Sequence, residues 1–180
     1  MKASNNLVWI DCEMTGLHVE YDVLLEIATI ITDSQLNEVA QGPALVIHQP
    51  NHVLENMHPW CKAHHGASGL TRAVQESTVT LEQAQQQTLD FISRYCDLNT
   101  GVLAGNTVWQ DRLFLTKYMP QVTDYLHYRL VDVSSIKELV KRWYPKDPRT
   151  DFKKPENHRA LEDIRASIDE LRHYRREFFV

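Results

Sequence analysis

Two carboxylates near the start of the chain directly follow a strand that the sequence predicts to be buried. Residues 7–10 are apolar and rich in β-forming side chains, which is typical of a strand covered on both faces. Asp11 and Glu13 continue this run two residues apart, so both side chains leave the same face of the strand. Two like charges held side by side there are unfavourable unless a cation binds them. Carboxylate oxygens suit Mg²⁺ or Mn²⁺, and the sequence therefore predicts a metal site.

Two later segments supply further candidates for the same chemistry. Asp111 lies near the start of a predicted helix, and His158 and Asp163 stand five residues apart near the end of the chain. Side chains with that spacing on a helix are ~140° apart around its axis. We therefore expect His158 in the loop before the last helix and Asp163 facing inward from its first turns. Alone, Asp111 is explained by the helix dipole and His158 by a surface or capping role.

The elements that must position these side chains alternate between strands and helices along the chain. Strands are predicted at residues 7–13, 24–32, 39–48, 102–104 and 130–133, and helices at residues 59–68, 81–96, 109–118, 134–143 and from about 159. Pro43 indicates that the third strand lies at an edge or carries a bulge. Thr80 and Ser134 are expected to cap the helices that follow them. This order predicts one layered α/β domain over residues 1–180.

Length and composition favour a single-domain enzyme. A chain of 180 residues with 43% hydrophobic content can bury one substantial core. No stretch approaches the ~20 apolar residues that span a bilayer, and the first residues lack the apolar run of a signal peptide. The three cysteines are widely spaced and show no paired zinc-binding pattern. We therefore expect a cytoplasmic location.

The charge distribution limits the size of a nucleic-acid partner. The net charge is −5, with −8 in residues 1–128 and +3 in residues 129–180. Proteins that grip long nucleic acids usually present a broad basic surface, because phosphate neutralisation dominates their affinity. If the substrate is a nucleic acid, the contacts are expected to be few and local. That favours short oligomers over long strands.

The acidic segments together resemble the DEDDh family of 3′–5′ exonucleases. Asp11 and Glu13 match its first motif, Asp111 its second, and His158 with Asp163 its third, in the family's order. Other segments are similar to the oligoribonuclease family in particular: residues 11–17, 60–61, 67–70, 127–129 and 132–134. The resemblance covers nearly the whole chain. It implies an RNase H-like α/β fold, with a mixed five-stranded sheet flanked by helices, and a homodimer.

The resemblance also implies a mechanism. Phosphodiester hydrolysis needs an activated water, in-line attack and charge relief on the leaving oxygen, which two metal ions can supply. The candidate ligands of two Mg²⁺ or Mn²⁺ ions, directly or through waters, are Asp11, Glu13, Asp111 and Asp163. With an unperturbed pKa of about 6.5, His158 is neutral over much of the physiological range. It can then act as the general base that accepts a proton from the attacking water.

A compact pocket for two nucleotides, closed at the 5′ end, is implied as well. Leu17 would lie between the two bases and His65 would support them. Ser134 and Arg129 would contact the 5′ phosphate, since an arginine–phosphate contact is among the stronger hydrogen bonds. The predicted function is a 3′–5′ exoribonuclease that degrades very short RNA, especially 5′-phosphorylated dinucleotides, to mononucleotides.

Three further positions complete the implied pocket. Thr107 stands where the family often has serine, beside the 5′ phosphate. Tyr128 would reach over the pocket of the partner subunit. Trp109 departs from the small residue expected after residues 107–108, so the packing of the pocket wall is expected to differ here.

Two other readings remain open from the sequence. One is an exonuclease of the same superfamily that acts on longer 3′ ends, such as a DNA-proofreading subunit or a tRNA-end trimmer; such enzymes would show basic or aromatic tracks for the strand. The other is a non-catalytic module that binds dinucleotides or RNA ends. A family member that has lost its activity usually lacks a metal ligand or the general base. In this chain all four carboxylates and the histidine of the motifs are present.

Overall fold

A computed structural model describes residues 2, 5–153 and 159–179 of the chain. Within these residues the strands are β1 Leu7–Met14, β2 Leu24–Thr32, β3 Glu38–Val46, β4 Val102–Gly105 and β5 Leu130–Asp132. The helices are α1 Asn51–Glu55, α2 Pro59–Ala67, α3 Leu70–Glu76, α4 Leu81–Tyr95, α5 Val108–Tyr118, α6 Pro120–Tyr125, α7 Val133–Trp143 and α8 Ala160–Phe178, with a 3₁₀ turn at Pro148–Thr150. None of these helices is long and apolar enough to cross a membrane.

The strands form one mixed sheet in the order β3-β2-β1-β4-β5. β1 pairs antiparallel with β2 and parallel with β4, and β5 continues the parallel part beside β4. The carboxyl ends of β1, β4 and β5 therefore meet at one edge of the sheet. The mixed five-stranded α/β sheet that the family resemblance implied is confirmed, and β3 lies at the edge, as its proline predicted.

The sequence placed most elements but missed some. β2 has the predicted bounds, and Thr80 caps α4 through a capping box with Gln83. Helices α1, α3 and α6 are short and were not predicted. The prediction that Ser134 caps α7 is wrong: α7 begins one residue earlier, and the Asp132 side chain accepts from the Ser134 N–H at 2.9 Å. Aspartate competes as well as serine for this position, because both offer an oxygen to the first backbone N–H groups.

Alternating residues of β1 divide the interior into two layers. Val8, Ile10 and Cys12 pack in the core beneath α4, α5 and α6, whereas Trp9 packs with α7 and α8 on the opposite face. Asp11 and Glu13 follow Trp9 at two-residue intervals, so they share its face. The strand therefore directs both carboxylates towards α8.

A buried ion pair fixes the start of α8 against the sheet. The Glu26 side chain is only 1% exposed, and its oxygens accept from Arg159 Nη2 at 2.6 Å and from the Ala160 N–H at 3.2 Å. Glu26 thus satisfies the first N–H groups of α8 in place of a local cap. Since Glu13 and Glu26 are paired across β1 and β2, this contact holds the first turn of α8 beside the acidic face of β1.

We predict that Arg159→Ala destabilises the fold far more than loss of an exposed ion pair. The substitution leaves the Glu26 charge buried without its partner, which costs about 3 kcal/mol of unfolding free energy. Arg165→Ala is the matched control, because its pair with Glu38 is solvent-exposed and worth at most ~1 kcal/mol. Urea denaturation of both variants measures the difference. Equal, small losses would contradict the role given to the buried pair.

Candidate active site

Three of the four predicted metal ligands converge at the carboxyl end of β1. Asp11, Glu13 and Asp163 each offer a carboxylate oxygen, and these oxygens all lie within 4.8 Å of one another. We call these three residues the carboxylate cluster. Two come from one face of β1 and the third from the first turn of α8, as the sequence spacing predicted. All three are partly buried, so solvent and substrate can still reach them.

Asp111 lies beside the cluster but in a different setting. It is 6% exposed in the first turn of α5, and its Oδ1 accepts from the Cys12 N–H at 2.9 Å. Cys12 is the residue between the two ligands on β1, so Asp111 packs directly against the backbone that carries them. Its charge also affects Glu13. Among the described residues, Asp111 therefore lies next to the carboxylate cluster but is not one of its three members.

Burial and the neighbouring negative charges raise the pKa values of two carboxyl groups at the site. The pKa of Glu13 is raised from 4.5 to about 8; burial is the largest cause, and the charge of Asp163 is the second. Glu26 and Asp111 add to this shift, and the Arg159 guanidinium opposes it. Burial is also the main reason why the pKa of Asp111 is raised to about 7, against the hydrogen bond from Cys12.

These residues fit a divalent cation. The donors are carboxylate oxygens alone, which is the ligand set that Mg²⁺ and Mn²⁺ take in proteins. Raised pKa values are what convergent carboxylates show when no cation neutralises them. A bound cation would supply that neutralisation, and protons compete with it for the same oxygens.

His65 and Leu17, the residues expected to contact the bases, differ in their exposure. His65 is only 1% exposed; its Nε2 donates to the Met14 carbonyl at 2.9 Å, and its Nδ1 lies 3.9 Å from Glu13 Oε2. This placement puts His65 beside Glu13, and its expected support of the substrate bases stays a prediction. Leu17 is 74% exposed in the turn after β1, and its carbonyl accepts from Gln110. An exposed apolar side chain on an anchored turn is available to pack against a base.

Thr107 and Ser134, which we call the hydroxyl pair, lie where β4 and β5 end. Their hydroxyl oxygens are 3.0 Å apart, and the Thr107 N–H donates to Ser134 Oγ and Asp132 Oδ1, both at 2.9 Å. Thr107 has φ 54° and ψ 31°, a left-handed conformation that is strained for a β-branched residue. The two hydrogen bonds hold it there, and strain of this kind is concentrated at functional sites.

The hydroxyl pair opens into a cleft of about 430 Å³. Trp109 and Leu139 form apolar parts of its wall, and Trp109 is 52% exposed. The residue that departs from the family pattern therefore lies in the wall of the cleft and not in the core. Arg142 also lines the cleft, but its guanidinium is paired with Glu138 one turn earlier on α7.

Tyr128 and Arg129 lie at the other end of β5. They precede its first residue, whereas Ser134 follows its last, and three residues of strand span ~10 Å. The Arg129 guanidinium carbon lies 5.5 Å from the centre of the Tyr128 ring, which is 71% exposed. Arg129 and Ser134 therefore flank opposite ends of β5, and the phosphate contact that we expect them to share stays a prediction.

The predicted general base, His158, falls among residues 154–158, outside the described part of the chain. Its role stays a prediction. The neighbouring Arg159 is described and occupies the N-cap position of α8; residues 154–158 separate it from the last described residue of the preceding loop.

Sequence reasoning missed the residues that support the site. Glu26 is a charged residue inside a nine-residue strand that is otherwise apolar or small, and such a placement indicates a buried partner. Asp132 and Asn106 adjoin the hydroxyl pair, each beside a predicted site residue. Their polarity at strand ends was a usable signal, but Thr107 lies 25 residues from Asp132 and Ser134 lies 28 residues from Asn106, and no local pattern reveals such contacts.

Comparison with known proteins agrees with this geometry. The RNase T family model, described as an exonuclease, matches residues 8–171. An oligoribonuclease of Marinobacter nauticus is 52% identical over 99% of this chain and 99% of its own length. The chain belongs to the oligoribonuclease family of exonucleases. The predicted enzyme class, a 3′–5′ exoribonuclease that hydrolyses phosphodiester bonds, is thereby confirmed.

Relatives of this oligoribonuclease family extend beyond bacteria, and its fold extends to larger exonucleases. The human mitochondrial oligoribonuclease is 51% identical over 98% of this chain and 74% of its own length. Escherichia coli exonuclease I, solved with zinc and single-stranded DNA, superposes with a TM-score of 0.76 at 13% identity. That match covers 99% of this chain but 41% of exonuclease I, and at this identity it shows the fold alone. The family implies divalent metal ions, in agreement with the acidic cluster.

We predict that the metal-free chain of this oligoribonuclease-family protein loses stability as the pH rises from 3.8 to about 8, and that a cation restores it. A carboxyl with a raised folded-state pKa binds more protons folded than unfolded, so stability falls as pH rises through that window. The window runs from 4.5 to about 8 for Glu13 and from 3.8 to about 7 for Asp111. Mg²⁺ or Mn²⁺ should therefore raise the Tm more at pH 8 than at pH 6.

The matched variants for this measurement are two Asp→Asn changes on α8. Without metal at pH 8, Asp163→Asn should be more stable than the wild type, because the repulsion with Glu13 is relieved, and its response to Mg²⁺ should be weaker. Asp169→Asn removes an exposed carboxylate paired with Arg172 and should change neither behaviour. A Mg²⁺ response in Asp163→Asn equal to that of the wild type would contradict the assignment of the cluster.

Proposed function

We propose that this chain removes nucleotides from the 3′ end of very short RNA, and above all cleaves 5′-phosphorylated dinucleotides to mononucleotides. The observation that carries the proposal is the carboxylate cluster at the end of β1, in a chain of the oligoribonuclease family. These relatives are oligoribonucleases, a name that denotes an enzyme for oligoribonucleotides. The acidic net charge supports a short substrate, because long strands would need a broad basic surface.

In the proposed mechanism Asp11, Glu13, Asp163 and Asp111 hold two divalent ions, Mg²⁺ or Mn²⁺, directly or through waters. Such ions supply charge neutralisation on the phosphate and lower the pKa of water. The carboxylates themselves fix where the scissile phosphate lies, at the edge where β1, β4 and β5 end. His158 accepts the proton of the attacking water as general base.

The rest of the substrate lies across the same edge of the sheet. Leu17 packs between the two bases, and the hydroxyl pair, Thr107 and Ser134, receives the 5′ phosphate. The left-handed backbone conformation of Thr107 supports this assignment, because strained residues of this kind are concentrated at functional sites. A pocket closed behind the 5′ phosphate penalises every substrate that must extend past it.

We further propose a homodimer in which each subunit completes the pocket of the other. Arg129 and Tyr128 precede β5 whereas the hydroxyl pair lies beyond its other end, which favours their presentation to the pocket of a second copy. An apolar surface supports self-association: its exposed side chains on α5, α7 and the end of α8 are Trp109, Leu113, Leu139, Trp143, Tyr144 and Phe179. A single domain over residues 1–180 and a cytoplasmic location remain predictions.

We predict that His158→Ala lowers kcat about 10²- to 10⁴-fold at neutral pH, the usual contribution of a general base. The metal-dependent rise in Tm should be retained, because the four carboxylates are intact. The pH–rate profile should also lose the limb set by the histidine. An unchanged rate and profile would give His158 a structural role instead.

We predict that Arg129→Ala impairs dinucleotide cleavage about ten- to a hundredfold more than heptamer cleavage. A dinucleotide has one internal phosphodiester, so its 5′ phosphate carries a large share of the charged contacts, and each charge-assisted bond is worth about 1.5–3 kcal/mol. A heptamer places its 5′ end outside the pocket. Comparing kcat/KM on RNA of two to seven nucleotides tests this, and equal losses on all lengths would indicate an exonuclease for longer 3′ ends.

Mixing two inactive variants tests whether Arg129 acts across the dimer. An Asp11→Asn chain lacks a metal ligand, and an Arg129→Ala chain lacks the phosphate contact. If Arg129 serves the partner, a mixed dimer holds one intact pocket, and random mixing should restore about a quarter of the wild-type dinucleotide activity. If Arg129 serves its own chain, the mixture stays as inactive as its components.

A further inference from the structure

Leu17 lies in a turn, residues 15–23, whose shape is fixed by its own hydrogen bonds; we call it the Leu17 turn. The Thr15 N–H donates to the Val23 carbonyl at 3.0 Å, which closes the turn at its base. The Asp22 carboxylate accepts from the Thr15 hydroxyl at 2.8 Å. These contacts fix the shape of the turn, but they do not determine where it lies relative to the rest of the site.

Packing against the core gives the Leu17 turn little support. Of residues 17–21, Val19 packs against the core, whereas the other four side chains are exposed. Leu17 itself is 74% exposed. A side chain that enters between two bases needs a fixed position, because ordering a mobile segment at the moment of binding lowers the affinity. Contacts other than hydrophobic packing must therefore supply that position.

Three side chains of α5 donate hydrogen bonds to backbone carbonyls of the Leu17 turn. The bonds are Gln110 Nε2 to Leu17 at 2.7 Å, Lys117 Nζ to Val19 at 2.6 Å and to Glu20 at 3.2 Å, and the Tyr118 hydroxyl to Asp22 at 2.7 Å. Gln110 and Lys117 are seven residues apart, which is two helical turns, so they lie on one face of α5 about 10 Å apart. Water could satisfy carbonyls on an exposed turn, so these bonds matter more for its position than for the free energy of unfolding.

Lys117 makes the strongest of these contacts. Its ammonium donates to two successive carbonyls, those of Val19 and Glu20, and lies 4.9 Å from the centre of the Tyr118 ring. Hydrogen bonds from a charged donor are about twice as strong as those between neutral groups. The two carbonyls follow Leu17 by two and three residues, so Lys117 holds the backbone directly beyond the side chain that must be placed.

The helix that holds the Leu17 turn also carries other parts of the site. Thr107 is the N-cap residue of α5, and Asp111 lies in its first turn. Gln110, which donates to the Leu17 carbonyl, directly precedes Asp111 in sequence. The position of the Leu17 turn is therefore set by the same rigid element that places Asp111 beside the carboxylate cluster.

We infer that Lys117 and Gln110 are positioning residues, through which α5 sets the place of the Leu17 side chain between the two bases of the substrate. The inference rests on the proposed function, in which Leu17 packs between the bases. In this role neither residue needs to touch the substrate, because both act through Leu17. A change at Lys117 should therefore lose its effect in a chain whose residue 17 has already lost its side chain.

A double-mutant cycle on a 5′-phosphorylated RNA dinucleotide tests this dependence. Lys117→Met keeps an unbranched side chain but removes the ammonium donors. It should raise KM about 3- to 10-fold and leave kcat nearly unchanged, because it weakens binding that ground state and transition state share. Leu17→Ala should raise KM at least as much. Lys117→Met added to Leu17→Ala should change kcat/KM by less than about twofold, and Lys117→Arg, which retains a cationic donor, should behave as the wild type.

Lys62→Met is the matched control, because it removes a lysine ammonium that lies 3.3 Å from the carbonyl of Glu55, away from the Leu17 turn. It should leave KM unchanged. The Mg²⁺-dependent rise in Tm should be the same in every variant, since the carboxylate cluster is intact. Equal losses from Lys117→Met with and without the Leu17 side chain would overturn the inference and leave the proposed function standing. A Leu17→Ala chain with wild-type kinetics would refute the proposed place of Leu17 and the inference together.

Discussion

Electrostatic repulsion among carboxylates is the constraint on which the rest of this structure depends. Asp11, Glu13 and Asp163 converge within 4.8 Å, with Asp111 and Glu26 close behind them. In an apo protein this arrangement is unfavourable: burial, as the largest cause, and the neighbouring carboxylates together raise the pKa of Glu13 to about 8. The fold maintains it by placing one fixed cation, Arg159, on the most deeply buried of these acids, Glu26. The remaining negative charge is left for a divalent ion.

Two polar systems in the core fix α8 from either side. Glu26 on β2 holds its first turn through Arg159 and the Ala160 N–H. Glu170, in the middle of the helix, is held by Lys137 from α7 and by Asn106 after β4. Buried charges contribute little net stability, because desolvation offsets their attraction. Their value here lies in geometry: the helix that carries Asp163 cannot shift along the sheet without leaving one of these charges unpaired.

The sequence predicted the parts of this molecule that depend on local pattern. The two-residue spacing of Asp11 and Glu13 after an apolar run was sufficient to predict their shared face, and the nine residues of β2 were predicted with the correct bounds. Contacts between segments that are far apart in the sequence could not be predicted from local pattern. Nothing local indicates that His65 lies inside against Glu13, 52 residues before it in sequence. The choice of Asp132 over Ser134 as the cap of α7 could not be made from the sequence either, because both residue types favour that position.

The alternation along β1 also limits how this protein can change in length. Trp9 points to one layer of the core and Val8 to the other, and the acidic pair follows the phase of Trp9. Inserting or deleting one residue before Asp11 would exchange the two faces, burying both carboxylates under α4 and α5 and turning an apolar residue towards α8. A shift of one residue in β1 always moves each side chain to the opposite face of the sheet, so repacking of side chains cannot correct it. Insertions are instead expected after α7, where the described backbone of residues 144–153 lies outside the sheet.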